Sequence, residues 1–118
     1  MSFATMTISR RIRFVIFGVA ASVVAWLSLI PRTELPKTGV SDKWEHLVVY
    51  ALLTLVGAWT YRSRAGLGAV LVGYGVVLEI LQGVMGLGRQ ADVVDALANS
   101  LGVVIGLSLV LLARKLRR

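Results

Sequence analysis

The sequence contains no cysteine, two prolines, one histidine and six acidic residues among 118. Without cysteine there can be no disulfide, no thiolate metal ligand and no catalytic thiol. A zinc-finger explanation of the basic charge fails for the same reason. Charge of either sign is scarce, at 16% of residues, against roughly 25% in an average soluble domain. Apolar residues make up 57% instead. A soluble domain of this length buries only roughly two-thirds of its surface, too little to house that apolar content. Lipid is the solvent that takes the surplus. A net charge of +7 raises the question of nucleic acid. However, the basic residues stand in short clusters between apolar runs, as they do at membrane surfaces, and no nucleic-acid partner is expected.

Four apolar runs follow one another: Phe14–Ile30, His46 to about Tyr61, about Ala65 to Leu81, and about Ala96 to Ala113. Each sits at the short end of the roughly 17–25 residues that span a bilayer as a helix. The adjoining polar turns extend them, so helices are predicted over about 11–30, 43–61, 65–83 and 92–113. Pro31 and Pro36 end the first, and "YRSR" at Tyr61 to Arg64 turns the chain between the second and third. The expected architecture is all-α, a single membrane domain built as a bundle of four transmembrane helices. The basic start "SRRIR" and the apolar run behind it also fit a signal peptide. The run is longer than a usual signal core and no small-x-small cleavage site follows, so retention as a spanning helix is expected.

Orientation follows from the basic residues of the loops. With four spans, one side carries Arg10, Arg11, Arg13, Arg62, Arg64, Arg114, Lys115, Arg117 and Arg118; the other carries only Arg32, Lys37, Lys43 and Arg89. The richer side, with both termini, is predicted cytoplasmic. The acids Glu34, Asp42, Glu45, Glu79, Asp92 and Asp95 all fall on the opposite side or at the helix ends facing it.

Helical spacing gathers the polar groups further. Asp42 and His46 are four residues apart on one face, with Tyr50 one turn deeper. Glu79 and Gln82 share a face of the third helix, which carries Gly68 and Gly75 at similar steps. Asp92, Asp95, Asn99, Gly102 and Gly106 form one stripe on the fourth, and "GVVIG" permits close backbone approach. The polar groups continue these small-residue faces, so they should look into the bundle. A carboxylate near the bilayer centre costs about 2.5–3.5 kcal/mol even on the lenient insertion scale, so Glu79 requires a partner or a wet pocket.

Bland readings compete with functional ones. Lys43 and Glu45 suit interfacial charges, and Trp26, Trp44 and Trp59 suit an aromatic belt. His46 alone reads as a hydrogen-bonding interface residue, and Asp92 as a helix-start residue favoured by the dipole. Glu79, Asp95 and Asn99 inside a bundle default to function, with a structural Arg89–carboxylate network as the alternative.

"DKWEHLVVY", "EILQ" and "GRQADVVDALANSLG" together resemble the pattern of the VanZ-like family of small bacterial membrane proteins. The family shows Asp-Lys-x-x-His with a downstream Tyr, matched by Asp42, Lys43, His46 and Tyr50. It then shows Glu-x-x-Gln, matched by Glu79 and Gln82, and Arg-x5-Asp-x3-Asn-x2-Gly, matched by Arg89, Asp95, Asn99 and Gly102. Asp92 has no place in that pattern. The resemblance spans about residues 42–106 and implies a multi-pass protein of the bacterial cytoplasmic (inner) membrane. It also implies a glycopeptide-resistance-like role in the cell envelope, with the polar pocket facing outward.

Three function classes follow. In an enzyme acting on a lipid-linked or envelope substrate, His46, Glu79 and Asp95 would exchange protons. Asp42, Lys43, Tyr50, Gln82, Arg89 and Asn99 would bind the substrate, Arg89 holding an anion in bidentate fashion. Arg89 would also neutralise Asp95 or Glu79 in the resting pocket, leaving His46, of the side-chain type that titrates near neutral pH, free to exchange a proton. Ser41 and Ser100 lack a nucleophile motif, and no ligand spacing supports a metal site. No cofactor is specified. A non-enzymatic module would use the same groups to hold a lipid, an antibiotic or a partner. A small transporter or flippase is the third class, although four short helices leave little room for alternating access in a monomer. The expected partners are membrane lipids, an anionic lipid-linked substrate and a second copy through the Gly-rich helix faces.

Overall fold

The computed structural model describes residues 8–30, 42–86 and 91–117, with Asp42 as backbone only. The described residues form four α-helices and no strand: α1 (Arg10–Leu29), α2 (Asp42–Thr60), α3 (Arg64–Met85) and α4 (Val93–Leu116). Local chemistry explains their limits. Ser9 caps α1, its hydroxyl accepting from the Ile12 amide at 3.3 Å, and Ser63 caps α3 in the same way through the Gly66 amide at 3.1 Å. α1 stops at Leu29, where Ile30 turns extended ahead of Pro31. α3 runs two residues past its expected end because its terminator is Gly86, in the left-handed conformation at φ +65°. α4 exceeds its expected end by three. Asp95 in its first turn and Arg114 and Lys115 in its last all complement the helix dipole.

α1, α3 and α4 are long and apolar enough to cross a membrane. α2 falls short of that composition because Asp42, Lys43, Glu45 and His46 crowd its first turns. α2 and α3 each touch the other three helices, whereas α1 packs on α2 and α3 and not on α4. The core is built from Tyr50, Leu53, Leu67, Leu71 and Val103, flanked by Phe17, Val24, Tyr74 and Leu107. α1 buries no residue, and Val15, Val19, Val23 and Trp26 along it stand exposed. In water such an apolar face would be an aggregation liability.

The α2–α4 contact is the most extensive, and glycine makes it possible. A methyl group at Gly106 would sit 2.7 Å from Thr54 Cβ and 2.9 Å from the Ala51 carbonyl oxygen. At Gly102 it would run into the Leu47 carbonyl, with the Ala51 amide nitrogen 3.1 Å away. These neighbours are largely backbone and cannot rotate aside, so the two helices would have to separate. Gly18 and Gly73, in contrast, have nothing within 4 Å of that position. Gly102→Ala and Gly106→Ala are therefore expected to destabilise the fold by about 1–3 kcal/mol, the usual cost of overpacking. Gly73→Ala should be neutral or slightly stabilising through its helix propensity. Unfolding of the purified variants in graded denaturing detergent checks the contrast.

Candidate functional site

The starts of α2 and α4 meet the ends of α1 and α3 at one end of the bundle, and most of the polar side chains singled out in the sequence gather there. His46 lies one turn into α2, and its Nδ1 is 2.6 Å from Asn99 Oδ1 on α4. An amide oxygen only accepts, so Nδ1 carries the proton and donates. In the neutral ring this leaves the lone pair on Nε2, which lies 3.9 Å from Asp95 Oδ2. The Asn99 side chain is wholly enclosed, and Asp95 is 7% exposed.

Asp95 Oδ1 lies 3.4 Å from Lys43 Nζ, yet it is buried without a hydrogen bond of good geometry among the described residues. The ion pair offsets part of the cost of burying that oxygen. Lys43 is shared, because its Nζ also lies 3.5 Å from Asp92 Oδ2. Lys43, half-exposed, is thus bracketed by two carboxylates, partners that its local sequence does not show.

Asp92 is the N-cap of α4, its Oδ1 accepting from the Val94 amide at 2.8 Å. Its own amide donates to Glu79 Oε1 at 2.8 Å. Glu79, 5% exposed, therefore has its partner in the backbone that opens α4 and ties α3 to it. Gln82 does the same for α1, its Nε2 donating to the Ser28 carbonyl at 2.7 Å. Tyr50 belongs to the core. It meets Asn99 over Gly75, where an added methyl would lie 3.1 Å from Tyr50 Cε2 and 3.2 Å from Asn99 Cβ.

Of the expected site residues, Lys43, His46, Asp95 and Asn99 thus form one connected cluster. Glu79 joins it through Asp92, and Tyr50 lies against Asn99. Gln82 is directed at α1. Arg89 and the Asp42 side chain, expected to neutralise or bind, lie outside the described residues. Sequence reasoning placed Gly75 on the packed face of the third helix but not the room it makes for Asn99, and it missed the role of the Asp92 amide as a donor. The signal for the second was present: Asp92-x-x-Asp95 before an apolar run has the spacing of a helix-capping box. Among the described residues no group of three His, Asp or Glu side chains is arranged to hold a metal ion.

No protein-family model, curated protein or solved structure matches this chain.

The Asp92 carboxyl is held below its usual range, first by the hydrogen bond from the Val94 amide and further by Lys43, against a smaller opposing effect of desolvation. A depressed carboxyl contributes stability above its ordinary value and loses it as pH falls through the lowered one. Acidification should therefore fray the first turn of α4, seen as faster hydrogen exchange at the Val94 amide. Asp92→Asn keeps an oxygen for the cap and should flatten this pH response. An unchanged acid response in that variant would assign the effect to another group.

Proposed function

We propose that the chain is a VanZ-like protein of the bacterial inner membrane, with four spanning helices and both termini cytoplasmic. Its polar cluster faces outward and exchanges protons with an anionic lipid-linked or cell-envelope substrate, in a role like that of glycopeptide resistance. The observation that carries this reading is the setting of His46. Asn99 fixes the proton on Nδ1, which turns Nε2 toward Asp95. A base needs its lone pair aimed at the reacting proton, and a neighbouring carboxylate stabilises the imidazolium that forms. Lys43 supplies a half-exposed cation on the other oxygen of that carboxylate, able to meet an anionic group. Arg89, four residues after Met85 closes α3, is assigned the bidentate contact.

A second reading, a non-enzymatic module that binds a lipid, an antibiotic or a membrane partner, is favoured by a different observation. Glu79 and Gln82 are both spent on backbone groups, which suits a scaffold holding the helices in register.

Resistance or envelope integrity, measured at matched protein levels in cells carrying His46→Gln, Asp95→Asn or Arg89→Lys, separates the two. In the enzyme reading His46→Gln and Asp95→Asn abolish function while substrate binding persists, a loss of about 100-fold or more for a general base. Arg89→Lys should hurt more than Lys43→Arg, because a point charge does not replace a fork. Full function in His46→Gln removes the imidazole from the mechanism and leaves the binding module. Labelling of residue 118 from outside intact cells contradicts the orientation.

A further inference from the structure

We infer that the opposite end of the bundle is a binding site for the headgroup phosphate of an anionic phospholipid, with the guanidinium groups of Arg13 and Arg64 as its clamp. The inference rests on the membrane reading above and concerns a place far from His46. The start of α1, the α2–α3 link and the end of α4 meet at this end. They bring together Arg10, Arg11, Arg13, Arg62, Arg64 and the Arg114–Arg117 segment. Every acidic side chain among the described residues lies at the other end, so among the described residues no side-chain carboxylate is placed here to neutralise these cations.

Within this basic end two side chains stand apart. Arg13 is half-buried, donates from Nη1 to the Trp59 carbonyl at 3.1 Å and holds its guanidinium 5.1 Å over the Trp59 ring. Its Nε is nevertheless buried with no acceptor among the described residues, and Arg64 Nε is in the same condition. The two extend from one packing contact. Gly57 on α2 sits against Leu67 of α3 and Phe17 of α1; Arg13 is one turn before Phe17, and Arg64 three residues before Leu67. A buried N–H without an acceptor is costly, more so on a charged group. A phosphate supplies oxygens in the geometry that a guanidinium fork matches. The ring faces of Trp59 and Tyr61 lie at this level, as aromatic side chains do beside lipid headgroups.

The anionic class follows from the missing acids. A zwitterionic lipid would bring an ammonium group into a region with cations and no carboxylate to receive it. An anionic headgroup brings none.

Trp59, next to Arg13, reports on the site. The full chain carrying Trp26→Phe and Trp44→Phe, both exposed positions, is reconstituted in phosphatidylcholine vesicles. Either brominated phosphatidylglycerol or brominated phosphatidylcholine is then added as a quencher. Trp59 should be quenched preferentially by the anionic lipid. Arg13→Gln and Arg64→Gln should each reduce that preference about fivefold, the scale of one basic residue at an anionic surface, whereas Arg117→Gln should leave most of it. If the glutamine variants do not fold, the Arg13→Lys/Arg64→Lys pair decides. It keeps the charge without the fork and should lose part of the preference. Equal quenching by both lipids, or full preference in the lysine pair, overturns the inference. Failure of the chain to float with either vesicle contradicts the membrane reading itself and the inference with it. Free inorganic phosphate that displaces the preference at matched ionic strength overturns the assignment to a lipid.

Discussion

The close approach of α2 and α4 governs the rest of the molecule. Gly102 and Gly106 lie with their missing side chains against the backbone of Leu47 and Ala51, so the helix axes come nearer than any larger residue allows. One turn before Gly102 on the same face is Asn99, and one turn before that is Asp95. On α2, His46 precedes Leu47 directly. The contact that brings the backbones together therefore also sets Asn99 against His46 and Asp95 within reach of Lys43. Packing and polar chemistry are two stretches of one stripe. The α4 stripe changes from glycine to amide and carboxylate as it nears the end of the bundle.

The remaining polar groups hold that arrangement from outside. Asp92 caps α4, Glu79 accepts from the Asp92 amide, and Gln82 donates to the Ser28 carbonyl in the last turn of α1. Tyr74 fastens α3 to α1 at the Ala21 carbonyl. In an apolar surrounding each such bond has no competing water, and breaking it leaves a bare polar group. These hydrogen bonds add to the apolar core of Tyr50, Leu53, Leu67, Leu71 and Val103. α1, which buries nothing, is held in this way and by the edge contacts of Phe14 and Phe17 with Tyr61.

Much of the fold was legible in the sequence because apolar run length is a coarse and robust signal. Four runs gave four helices, and their starts fell within a residue or so of expectation. The ends of α3 and α4 were less legible. A glycine terminator about five residues beyond an apolar run and a basic last turn both extend a helix without extending its hydropathy. The shared face of Asp95, Asn99, Gly102 and Gly106 followed from spacing alone. The partners of those residues did not, because periodicity gives a direction and not the neighbour that lies there. Lys43 was read as a surface charge since nothing in its local sequence shows Asp92 and Asp95 arriving 49 and 52 residues later. Gly75 was legible as a member of the packed face of the third helix, but its neighbours were not, for a related reason: the need for space at that point arises only when Tyr50 and Asn99 converge on it.

The central claim is that Asn99 fixes the proton of His46 on Nδ1 and leaves Nε2 as the basic atom facing Asp95. His46 is the only histidine, so a sample labelled with ¹⁵N in histidine alone shows two ring nitrogens and nothing else. With the ring neutral, the account predicts a protonated Nδ1 and a bare Nε2 in the native protein, with that preference lost in Asn99→Ala. A neutral ring protonated on Nε2, or a tautomer unaffected by Asn99→Ala, would contradict it.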